Sequence, residues 1–174
     1  MKQIFYIRCQ TGDSSMGKRH NENRSGNLRF SGKEIELAVD ILDRFETTIE
    51  IMYYLMDLEK DQSFVLILLT ANDVELNELL SNEKRDTDIL FEIDKKESIY
   101  VMLCQDTKVD GGYRFAERLM SKIQAGEGTD IYCTELEVRV RHYSPKQVVL
   151  KLLETFVKSK HLNKSNEIIF RSLH

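Results

Sequence analysis

The chain is 174 residues long, 41% hydrophobic and 31% charged, which fits one globular domain with a real core and leaves too little for two. Its 25 basic and 29 acidic residues give a net charge of −4, which argues against a broad nucleic-acid or membrane surface. No apolar run is long enough to span a bilayer, and the start, MKQIFYIRCQTGD, lacks a secretory cleavage pattern, so a cytoplasmic protein is expected.

Gln3 to Arg8 is rich in β-branched and aromatic residues and reads as a first strand. Thr11 to Ser31 is polar, glycine-containing and basic, and is expected to be a long mobile loop. Within it, Gly12 to Arg19 nearly satisfies the phosphate-cradling pattern G-x-x-x-x-G-K-[ST]. Arg19 supplies no magnesium-holding hydroxyl, and the HNENRSGN that follows is a poor helix former, so a basic loop is the better reading.

Ser31 to Lys60 is strongly helical: Ser31 and Glu34 form a capping-box pair, and Ile35, Ala38, Leu42, Phe45, Ile49, Met52 and Met56 repeat at steps of three and four. Ile41, Ile51 and Leu55 widen this face, and Thr47-Thr48 marks a candidate bend. Packing on a sheet and forming a homodimer interface are both open to such a helix. Phe64 to Leu69 (FVLILL) reads as a fully buried strand, followed by a short helix over Asp73 to Leu80. Asp88 to Ile93, a polar turn at Asp94-Lys95-Lys96-Glu97, and Ser98 to Leu103 form a hairpin. A helix over Val109 to Ile123 directs Phe115, Leu119, Met120 and Ile123 inward and ends at Gly126. Asp130 to His142 alternates as a strand, Ser144 and Pro145 open a helix, and Glu167 to Arg171 closes with a short strand. Cys9, Cys104 and Cys133 are odd in number and never paired as C-x-x-C, which suits reduced thiols buried as small apolar groups. No metal and no cofactor are expected. The order implies an α/β sandwich with a central mixed sheet and helices on its faces.

The hairpin region, RDTDILFEIDKKESIYVML, resembles the GGDEF (diguanylate cyclase) family. There an R-x-x-D motif is followed by five residues, the signature tip and an apolar strand. Here Arg85-x-x-Asp88 precedes five residues, then Asp94-Lys95-Lys96-Glu97-Ser98, then an apolar strand. The resemblance extends from Phe64 onward and includes Lys160 to Phe170, similar to the family's closing lysine- and asparagine-bearing tail. It implies residues 62–174 as a GGDEF-like, palm-like core, with the strand, loop and helix of residues 1–61 packed on it.

The departures are as specific as the match. The family's first strand ends in D-x-D, whose first acid holds magnesium; Thr70 and Asn72 stand there. The signature glycines fall on Asp94 and Lys95, the next acid on Lys96, and only Glu97 keeps its type. Two-metal phosphoryl chemistry needs clustered acids, so the resemblance implies a catalytically inactive domain. What is retained is Arg85 and Asp88, which in the family bind cyclic di-GMP: arginine can donate two bonds to guanine O6 and N7, and a carboxylate can accept from the base's N–H groups. The expectation is therefore an inactive regulatory domain binding cyclic di-GMP at Arg85 and Asp88. The alternative is an interaction or dimerisation scaffold without a nucleotide, paired through residues 33–60.

Overall fold

A computed structural model of the protein describes residues 28–59 and 61–174. The expected first strand, the Gly12 to Arg19 segment and Cys9 lie outside them.

The first helix, α1, spans Gly32–Leu58. Ser31 Oγ accepts from the Glu34 N–H and Glu34 returns a carboxylate to the Ser31 N–H, so the expected capping box forms. The helix runs through Thr47-Thr48 without interruption. Its buried side is Ala38, Ile41, Phe45, Ile49 and Met52. Ile35 and Ile51, placed inward by the sequence pattern, are 54% and 50% exposed. The reason is angular: at 100° per residue they fall to either side of the arc that the five buried positions occupy.

The remaining elements are β1 (Phe64–Asn72), α2 (Leu76–Glu83), β2 (Ile89–Asp94), β3 (Ile99–Cys104), α3 (Val109–Ala125), β4 (Thr129–Val138), α4 (Pro145–His161) and β5 (Glu167–Leu173). Ser144 caps α4 with Gln147 as reciprocal partner, and Pro145 occupies its first turn. The strand expected to reach His142 stops at Val138. Beyond it the Arg139 N–H bonds the Leu173 carbonyl, and the chain then turns toward the Ser144 cap.

The five strands form one mixed sheet in the order β2-β3-β1-β4-β5. β1 is central and antiparallel to both β3 and β4, β2 and β3 form the hairpin, and β4 pairs in parallel with β5 through the α4 crossover. Because side chains alternate across a strand, β1 serves two cores. Phe64, Leu66 and Leu68 pack with α1 and α4. Val65, Ile67 and Leu69 pack with α2 and α3. The run FVLILL is uniformly apolar because both faces of the sheet are covered. Phe45 of α1 packs against Phe91 of β2, with ring centroids 4.4 Å apart and planes tilted by 56°, fixing the hairpin against that helix.

Candidate functional site

Between α2 and β2 the chain makes a tight turn built on Arg85 and Asp88. The Asp88 N–H bonds the Arg85 carbonyl at 3.0 Å, and the Arg85 N–H returns a bond to Asp88 Oδ2 at 3.0 Å. The side chains pair as well: Arg85 Nη2 lies 2.8 Å from Asp88 Oδ1, and Nε reaches both carboxylate oxygens at 3.1 and 3.2 Å. Arg85 Nη2 also donates to the Gln105 carbonyl and to Thr107 Oγ1, both at 2.8 Å. The Asp88 side chain is 1% exposed and that of Arg85 53%. Asp88 therefore serves as a buried clamp that sets the guanidinium in one plane, while Arg85 presents its remaining edge outward.

Arg85 opens onto a cleft of about 390 Å³ between this turn, the end of β3 and the first half of α3. Lys108, Arg114, Phe115 and Arg118 line the α3 side. The Arg118 guanidinium sits 4.9 Å over the Phe115 ring and 3.4 Å from Glu83. Lys122 bonds the same Glu83 at 2.5 Å, and together these cations hold its carboxyl below the usual range. Among the described residues the Lys108 and Arg114 side chains make no hydrogen bond or ion pair. Cys104 contributes a buried thiol, pushed up by burial. Chemically the cleft offers fixed and free cations beside one aromatic face, a combination suited to a phosphate-bearing planar ligand. The sequence reading named Arg85 and Asp88, and left unremarked Lys108, Arg114 and Arg118, which line the same cleft. Arg114 and Arg118 are one helical turn apart on either side of a partly buried Phe115, a signal that means nothing until the opposite wall is known.

The tip of the hairpin lies at the other end of β2, roughly 20 Å away by strand rise. The fold thus keeps Arg85 and Asp88 apart from Asp94, Lys95, Lys96, Glu97 and Ser98. At the tip, Asp94 Oδ1 accepts from the N–H groups of Lys96 and Glu97 at 2.8 and 3.1 Å, and Ser98 takes a positive φ of 49°. Thr70 Oγ1 donates to the Glu97 carbonyl at 2.8 Å, and Asn72 Nδ2 to Asp130 Oδ2 at 3.3 Å. Both groups standing where the resemblance places the D-x-D acids are thus engaged in ordinary strand and turn contacts. Among the described residues no group of three or more His, Cys, Asp or Glu is placed to hold a metal ion.

Two further acids went unremarked in the sequence because they alternate with Leu136 and Val138. Glu137 accepts from the Val109 N–H at 3.0 Å, capping α3 from a neighbouring strand, and from Ser172 Oγ at 2.5 Å. Glu135 is fully buried, with neither carboxylate oxygen partnered. Burial first, then Glu137 and Asp110, push its carboxyl up to about 8, so it holds its proton at neutral pH.

No protein-family model matches the chain, and no curated protein matches it. Among solved structures it is similar to the GGDEF domain of DgcB from Caulobacter crescentus in complex with c-di-GMP. The TM-score is 0.59 over 72% of this chain and 87% of that one, at 9% sequence identity. At that identity the likeness establishes the fold: the five-stranded mixed sheet with helices on both faces is GGDEF-like, as the hairpin register implied. No helix among the described residues is long and apolar enough to cross a membrane.

Proposed function

We propose that this chain is a regulatory domain of GGDEF-like fold that does not condense GTP and that binds cyclic di-GMP in the cleft beside Arg85. The observation that carries this reading is the R-x-x-D turn opening onto a cleft lined by Lys108, Arg114, Phe115 and Arg118. The similar DgcB domain was solved in complex with c-di-GMP, which adds support from the fold side. In this reading Arg85 donates to guanine O6 and N7, Lys108 and Arg114 neutralise phosphate, and the Phe115–Arg118 pair packs against a base. Asp88 acts first by orienting Arg85. To accept from guanine N–H groups it exchanges one of its bonds to Arg85 for the ligand. The absence of turnover follows from Thr70, Asn72 and Lys96, which offer no carboxylate where magnesium-bound triphosphate would need one.

Calorimetry tests the ligand. Cyclic di-GMP is expected to release heat with the wild type and to bind at least about tenfold more weakly to Arg114→Ala, which sits on the helix surface and leaves the Arg85–Asp88 pair intact. Arg85→Ala should lose more, with circular dichroism confirming that it folds. No heat with the wild type, or unchanged affinity in both variants, removes the ligand. Incubation with GTP and magnesium is expected to yield no cyclic dinucleotide, and turnover would overturn the inactive assignment.

A second reading, an interaction scaffold without a nucleotide, has one specific observation in its favour. Ile35, Val39, Ile51, Tyr54 and Leu58 of α1 are all at least half exposed. Its simplest form is the homodimer through residues 33–60, and sedimentation as a monomer at high concentration would count against it.

A further inference from the structure

We infer that the outward face of α1 is a docking surface for a basic amphipathic helix of a partner protein. Ile51, Tyr54 and Leu58 are 50%, 63% and 63% exposed and recur at steps of three and four, so they form one apolar ridge on the side facing away from the sheet. Tyr54 is the kind of large amphipathic side chain that anchors interfaces. The ridge continues into a cavity of about 120 Å³ at the end of the helix, walled by Leu55, Met56, Leu58 and Phe64. That is on the scale that accepts one apolar side chain, and methionine in its wall lets it adapt to the occupant.

Charge decides the occupant. Across Gly32–Leu58 seven carboxylates stand against two cations, Lys33 and Arg44. Asp43, Glu46 and Glu50 are exposed along the same outward side, and Glu59 and Asp106 rim the cavity. Asp57 is paired to Arg141, which leaves the excess almost untouched. A second copy laid along this helix would set these acids against their own kind, and an anionic membrane would be repelled in the same way. A helix with lysine or arginine flanking an apolar stripe satisfies both the ridge and its acidic borders. This inference does not depend on the nucleotide reading, since the α1 ridge lies across the sheet from α3, which carries the cations of the Arg85 cleft, and the two sites meet only at Asp106.

The test uses the full chain and a labelled synthetic Leu/Lys amphipathic helical peptide, followed by fluorescence anisotropy at roughly 0.05 and 0.5 M salt. Binding is expected at low salt and weaker at high salt. Tyr54→Ser/Leu58→Ser and Asp43→Lys/Glu50→Lys should each weaken it at least about tenfold. The same charge change at Glu78 and Glu127, away from α1, should leave it unchanged. All these positions are exposed, so the variants are expected to keep the wild-type circular dichroism. The inference is overturned by absence of peptide binding, by equal binding of a Leu/Glu peptide, or by unchanged affinity in both double variants. It is likewise overturned if the wild type forms a concentration-dependent dimer that Tyr54→Ser/Leu58→Ser abolishes, because the face then belongs to a second copy.

Discussion

Glu135 has an unusual position for a carboxyl group: deep in a β-sheet core, unpartnered, and flanked by other acids. With its pKa raised to about 8 from an ordinary 4.5, the folded protein holds a proton that the unfolded chain releases. Stability therefore falls as pH rises from about 4.5 to about 8, and the penalty is complete above that. Glu135→Gln keeps the shape and removes the titration. It is expected to leave the melting temperature near pH 4.5 close to the wild type and to raise it at pH 9, by up to several kcal/mol in unfolding free energy. Equal pH dependence in wild type and variant, measured by thermal melts, would show that Glu135 is not the group. At this scale the sequence was partly legible. Arg85 and Asp88 stood out through the R-x-x-D spacing ahead of the hairpin that resembles the GGDEF family; that the pair closes one turn is seen only in the structure. Glu135 did not, because alternation places it beside Leu136 without saying that both faces of β4 are covered.

The first turn of α3 is packed against that same carboxyl. A Cβ added at Gly112 would meet the Glu135 carboxylate and lie 2.9 Å from Val65 Cγ1. Gly112→Ala therefore gains helix propensity but loses more through overpacking, and is expected to destabilise by about 1–3 kcal/mol. Gly111→Ala meets only Thr107 Cγ2 at an ordinary 3.4 Å and should be close to neutral or slightly stabilising. Denaturant titrations of the two variants distinguish packing from propensity, since propensity alone would stabilise both. Elements were the most legible scale. The capping box at Ser31, the Ser144 cap, the Pro145 start and the hairpin all form within a residue or two of expectation, because each is set by short-range chemistry. What periodicity could not settle was the rotation of α1. A helix carrying apolar residues well beyond one face has more than one arc it could bury, and only the position of β1 and α4 selects Ala38 to Met52.

At the level of the whole molecule, β1 links two cores that would otherwise be separate. Phe45→Ala on the α1 side and Leu119→Ala on the α3 side each empty a fully buried site, and are expected to cost about 3–5 and 2–5 kcal/mol. Each should lower one shared unfolding transition, seen identically by far-ultraviolet circular dichroism and by tyrosine fluorescence. Separate transitions would mean that the sheet does not couple its faces. The sheet order also bears on how the chain finds its fold. Leu66 lies between Leu103 and Leu136, so the strand at the centre of the sheet must wait for partners dozens of residues downstream. Long-range pairing of this kind slows folding, and until β3 and β4 arrive the run FVLILL is a sticky, β-prone segment open to other chains. Nascent chains stalled before Ile99 are thus the species most in need of a chaperone.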